Sequence, residues 1–161
     1  MNATWTLPKN AAATLAILLL AAGCTSHSGN NMSNSNSSHM AAAQSFTANL
    51  SGAQEVPPTA SMATGMASAT LDPDGTLHWN VSYQGLSGPA AAAHFHGPAA
   101  PGANAGVAIN IGTQGLGSPM QGAAHLTEAQ IADLAAGRWY VNIHTAANPN
   151  GEIRGQVMPA H

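Results

Sequence analysis

Apolar and polar residues alternate most clearly between Thr76 and Gln84. Leu77, Trp79, Val81 and Tyr83 fall on one side, and His78, Asn80, Ser82 and Gln84 on the other. A period of two sends successive side chains to opposite faces, so this run predicts a half-buried strand. The run from Met62 to Leu71 sets Ala63, Ala67, Ala69 and Leu71 on one face, and Asp72-Pro73-Asp74-Gly75 between the two runs is a turn. Together they predict an antiparallel hairpin with one buried face. Gln44 to Leu50, Ala90 to His96, Val107 to Ile111, Arg138 to Thr145 and Glu152 to Met158 are further strand runs. Ser51-Gly52, Gly85 to Pro89, the Pro/Gly/Ala stretch to Ala105 and Asn148-Pro149-Asn150-Gly151 separate them. The period changes once. Thr127-Glu128-Ala129-Gln130 has a capping-box pattern, Ile131 and Leu134 sit at helical spacing, and Gly137 follows as a stop. A short helix is expected from Thr127 to about Ala136. Short strands with long Gly/Pro-rich connections predict an all-β domain. Its form would be an antiparallel Greek-key sandwich or partly closed barrel with one short helix.

The N-terminal region follows a different pattern. Lys9, the apolar run Ala11 to Leu20 and the small residues Ala21-Ala22-Gly23 read as an export signal, too short and wrongly flanked for a membrane span. Leu20-Ala21-Ala22-Gly23-Cys24 resembles a bacterial lipobox, with Ala21 where Leu is more usual. Cys24 is the sole cysteine, so the expectation is lipidation there and no intramolecular disulfide. Thr25 in place of Asp after the cysteine favours the outer membrane, by resemblance to Gram-negative lipoproteins. The expected organisation is a signal peptide over 1–23, a flexible Ser/Asn-rich tether over 24–43 and one domain over 44–161. His27, Met32, His39 and Met40 in the tether read as incidental, a copper-scavenging tail being the alternative.

Charge removes several classes of function. Only 6 % of residues are charged, and beyond Lys9 the fixed cations are Arg138 and Arg154. There is no basic stripe for nucleic acid and no polybasic patch for anionic lipid, which leaves the anchor as the expected link to a membrane.

The chemistry lies in the histidines. In Ala93-His94-Phe95-His96-Gly97 the two imidazoles project from one strand face, with Phe95 on the other. His144, in Val141-Asn142-Ile143-His144-Thr145, lies on the face opposite Val141 and Ile143. Three imidazoles from two strands are candidate ligands for one transition metal, and Cu(II), Zn and Ni suit them alike. His125, just before the helix, is a candidate fourth ligand, or else a polar loop residue. His78 reads as exposed and His161 as terminal. Glu152 and Arg154 share a strand face and are expected to form a structural ion pair, in a network that extends to Glu55. No nucleophile elbow or phosphate-binding glycine loop is present.

Taken in order, Leu50-Ser51-Gly52-Ala53-Gln54-Glu55-Val56-Pro57-Pro58, Ala93 to Gly97, Gly106-Val107, Tyr140 to Thr145 and Asn148 to Val157 resemble the CHRD domain family, which is found widely in bacterial secreted proteins. A more distant similarity is to the copper/zinc superoxide dismutase barrel, whose His-x-His element the His94/His96 pair resembles. That similarity implies copper as the favoured ion, zinc as the alternative, and His144 as a further copper ligand. The chain departs from the dismutase pattern in having no disulfide pair, no zinc loop and no positive guide for superoxide. The expected function is therefore that of a lipid-anchored extracytoplasmic protein that binds, stores or delivers a metal in exchange with a donor or acceptor protein. A metal-free adhesive module and a copper-only dismutase-like redox enzyme are the two alternatives.

Overall fold

The computed structural model describes residues 42–160. The signal, Cys24, all but the last two residues of the tether, and His161 lie outside the described residues. Eight strands run in the order β1 (Gln44–Ser51), β2 (Thr64–Leu71), β3 (Thr76–Gln84), β4 (Ala90–His96), β5 (Val107–Asn110), β6 (Met120–His125), β7 (Trp139–Thr145) and β8 (Ile153–Pro159). One short helix, α1 (Glu128–Ala135), lies between β6 and β7, and a 3-10 turn, Gly52–Gln54, follows β1. No helix among the described residues is long and apolar enough to cross a membrane.

The strands form one sheet in the order β5-β4-β7-β8-β1-β2-β3-β6, with every pairing antiparallel. It does not lie flat. Trp79 of β3 and Phe95 of β4, near opposite ends of that order, meet edge-to-face with ring centroids 5.8 Å apart. The sheet therefore curls into a nearly closed barrel with the core inside. Phe46, Leu50, Leu77, Val81, Ala93, Phe95, Trp139, Val141, Ile143 and Ile153 fill it. Small residues let the walls approach: a Cβ at Gly122 would run into the Trp79 ring, and one at Gly155 into the Asn49 carbonyl.

The hairpin forms as its sequence predicts, β2 pairing with β3 from Thr64↔Gln84 to Leu71↔Leu77 across a turn in which Gly75 has φ 86°. The helix starts at the expected cap. Thr127 Oγ1 accepts from the Gln130 N–H, the Gln130 side chain accepts from the Thr127 N–H, and Gly137 at φ 67° ends the last turn. One strand, β6, has no counterpart in the sequence pattern. Met120-Gln121-Gly122-Ala123-Ala124-His125 carries no β-branched residue, and pairing with β3 is what makes it extended.

Candidate metal centre

Strands β4 and β7 pair so that His94 lies opposite Asn142, His96 opposite Tyr140 and Ala92 opposite His144. The face that sends Ala93, Phe95, Val141 and Ile143 inward sends His94, His96, Tyr140, Asn142 and His144 outward. The three imidazoles meet there. One potential ligand nitrogen from each of His94, His96 and His144 lies within 4.8 Å of the other two. His94 Nδ1 is 3.1 Å from His144 Nε2, and the His94 and His96 ring centroids are 5.3 Å apart.

Backbone carbonyls hold two of the rings and fix their tautomers. His96 Nδ1 is 3.0 Å from the Ala105 carbonyl, and His144 Nδ1 is 3.0 Å from that of Pro149. A carbonyl only accepts, so each Nδ1 carries the proton and each Nε2 is left with a lone pair, the form in which imidazole binds a metal. His96 Nε2 is buried without a hydrogen-bond partner. With the His144 Nε2 lone pair also fixed, His94 Nδ1–H donates to it, and a metal ion would take the place of that proton. Burial first, then the neighbouring imidazoles, lowers the His94 pKa below 6.5. Burial also lowers that of His144, against the pull of the Pro149 carbonyl. Neutral imidazoles are the ligands a metal needs.

Around the cluster lies a second buried layer. The His96 ring stacks on Tyr140 at a centroid distance of 4.8 Å and 3°, and the Arg154 guanidinium carbon lies 3.5 Å from the Tyr140 ring centroid. Arg154 donates to Asn104 Oδ1 (2.8 Å) and to the Ala103 carbonyl (2.7 Å), and the Ala105 N–H donates to the Tyr140 hydroxyl (3.2 Å). One loop, Gly97 to Gly106, is thus held over the outer face, where it covers Tyr140 and supplies the carbonyl that orients His96.

The expected Glu152–Arg154 ion pair does not form. The Glu152 carboxylate accepts instead from the Ser87 N–H (2.8 Å) and from the hydroxyls of Ser87 (2.6 Å), Thr145 (2.6 Å) and Ser61 (2.8 Å). Burial alone would raise its pKa, but those donors hold it at about 2, below the ordinary 4.5. Its four donors leave Arg154 no part in neutralising it. Burial lowers the Arg154 pKa against the attraction of Glu55 among others, and burial pushes the Glu55 carboxyl from 4.5 up to about 7 against the attraction of Arg154. Nor does His125 reach the cluster. It ends β6, paired with Thr76 and beside Gly75, and is not among the imidazoles whose nitrogens converge. His78 is exposed and 3.2 Å from Asp72.

Sequence reasoning named the three histidines but missed Tyr140 and Asn142. Both alternate with the core residues of β7 and fall on the face of His144, a spacing already visible in the chain. What the spacing does not show is that loops from elsewhere bury this outer face. Tyr140, Asn142 and Arg154 are each no more than 3 % exposed.

Residues 46–157 match the CHRD domain. The chain is 32 % identical over 120 residues to chordin of Danio rerio, a match spanning 70 % of this chain and 13 % of that much longer protein. No solved structure matches the chain. The match runs from β1 to β8 and includes all three clustered histidines, and the chain belongs to the CHRD domain family.

Proposed function

We propose that this domain binds one transition metal ion through His94, His96 and His144. Copper is the favoured ion and zinc the alternative, and the role is binding, storage or delivery rather than turnover. The observation that carries this reading is the approach of three ring nitrogens to within 4.8 Å of one another. The carbonyl-fixed tautomers of His96 and His144 support it. Nitrogens about 2.0–2.1 Å from a shared tetrahedral ion stand about 3.4 Å apart, so small ring rotations close the site. Three imidazoles suit copper and zinc, and no cysteine sulfur competes among the described residues.

Binding is favoured over superoxide turnover by the charges. Of the two arginines among the described residues, Arg154 is buried beneath the Ala103–Ala105 segment and Arg138 is paired with Asp133. Neither forms a cationic funnel for an anionic substrate. The lipobox-like stretch ending at Cys24 supports attachment to the cell envelope, and Thr25 in place of Asp after it favours the outer membrane, where storage or delivery would involve a donor or acceptor protein.

Titration of the purified protein with Cu(II) and Zn(II), beside the His94→Ala/His96→Ala/His144→Ala variant, tests the reading. One tight equivalent in the wild type, absent from the variant, is expected; equal weak binding by both removes it. Mass spectrometry of protein taken from membranes tests the anchor. A lipid adduct at Cys24, lost in Cys24→Ala, is the expected result.

A further inference from the structure

Four of the five buried side-chain polar atoms without a partner among the described residues lie on the side of the barrel that carries the histidines. They are Glu55 Oε1, His96 Nε2, Asn142 Oδ1 and Gln156 Oε1. Buried polar atoms are costly to leave unpaired, so such a concentration calls for a partner other than the protein itself, a water or an ion. His96 Nε2 is accounted for by the metal. Asn142 is the next in position. It lies directly opposite His94 across the β4–β7 pairing, two residues before His144 on the same face, and is 3 % exposed. Directly opposed side chains in an antiparallel pair have Cβ atoms about 4.5–5.5 Å apart. Its amide nitrogen faces Gly151 and Glu55: a Cβ at Gly151 would lie 2.8 Å from Asn142 Nδ2 and would strike Glu55 Oε1. The other amide atom, Oδ1, is buried with no donor.

The geometry points to Asn142 Oδ1 as the oxygen donor of the metal site, bound to the ion directly or through one water. It takes the fourth-ligand role that His125, outside the cluster, does not fill. The inference rests on the three-histidine reading above and adds a preference. An amide oxygen is a hard donor that stabilises a divalent ion and offers little to soft Cu(I). Asn142 therefore selects Cu(II) and Zn(II) over Cu(I).

The test compares Cu(II), Zn(II) and Cu(I) affinities, by competition with chromogenic chelators, for the wild type, Asn142→Leu, Asn142→Asp and the triple-histidine variant. Leucine matches asparagine in shape and has no donor. Asn142→Leu is expected to weaken Cu(II) and Zn(II) about 10- to 100-fold and to leave Cu(I) unchanged. Its metal-free melting temperature should stay at or above that of the wild type, because Oδ1 has no partner to lose. Asn142→Asp should restore divalent binding and shift the copper electron paramagnetic resonance spectrum. Wild-type divalent affinity in Asn142→Leu overturns the inference. So does an equal loss for all three ions with a lowered metal-free melting temperature, which makes Asn142 structural. Should Asn142→Leu fail to fold, an Asn142→Asp copper spectrum identical to the wild type overturns it. Tight wild-type binding that is lost in the triple variant but kept in Asn142→Leu sinks this inference alone. Equal binding by the wild type and the triple variant removes the histidine site and this inference together.

Discussion

The ring of Tyr140 lies parallel to that of His96, 4.8 Å away between centroids, with the Arg154 guanidinium carbon 3.5 Å from the same Tyr140 ring. The Tyr140 hydroxyl also meets the Ala105 N–H, whose own carbonyl accepts from His96. Tyr140 therefore holds His96 twice, by its face and through the loop. Tyr140→Phe keeps the stack and loses the hydroxyl, and is expected to cost about 1 kcal/mol of unfolding free energy. Tyr140→Ala empties a buried aromatic site and is expected to cost about 3–5 kcal/mol. Urea unfolding of the metal-free protein checks both, and equal losses would show that the ring face contributes nothing.

Gly155 tests the tight wall between β8 and β1. Its Cβ would meet the Asn49 backbone oxygen, which cannot swing aside as a flexible side chain would. Gly155→Ala is expected to destabilise the fold by about 1–3 kcal/mol, read by thermal unfolding. A melting temperature equal to the wild type would contradict the close approach.

The two buried carboxyls act on stability in opposite directions. Glu152 is held at about 2 in the fold against an ordinary 4.5. Its contribution is present above pH 4.5 and is lost as pH falls toward 2. Glu55 is raised from 4.5 to about 7. The fold holds its proton between those values, so its contribution is present below 4.5 and lost as pH rises through 7. Stability of Glu55→Gln minus that of the wild type should therefore grow from pH 4.5 to pH 7, and for Glu152→Gln the deficit should shrink below pH 4.5. Unfolding measured across pH 3–8 reads both slopes, and flat differences would contradict the assignments.

Metal binding should tolerate mild acid. Burial and mutual repulsion hold His94 below 6.5, and burial holds His144 below it too. Protons then compete with the metal only below the ordinary histidine range. The pH at which half the bound Zn(II) is released, followed with a fluorescent zinc indicator, is expected below 6.5. Release centred at or above 6.5 would show imidazoles in an ordinary aqueous setting.

Much of this architecture was legible along the chain because it is local. The alternation of Leu77, Trp79 and Val81, the Asp72–Gly75 turn and the Thr127–Gln130 capping box each specify their element within a few residues. The His94/His96 pair and His144 were legible for the same reason, since period two alone fixes their faces. What failed was non-local. Strand β6 exists because β3 is there to pair with it. Glu152 and Arg154 share a face, yet Ser61, Ser87 and Thr145 claim one while Tyr140, Ala103 and Asn104 claim the other. Thr145 and Tyr140 come from the neighbouring strand β7, but Ser61, Ser87, Ala103 and Asn104 come from segments 50 or more residues away, and only the fold brings them together.

The central claim is that one ion is held by three imidazoles from β4 and β7. X-ray absorption on the Zn(II)-loaded protein tests it most directly. The account predicts one zinc per chain with three histidine nitrogens at about 2.0–2.1 Å, falling to two in His144→Ala. Zinc with fewer than three imidazoles in the wild type, or a spectrum unchanged by His144→Ala, would contradict it.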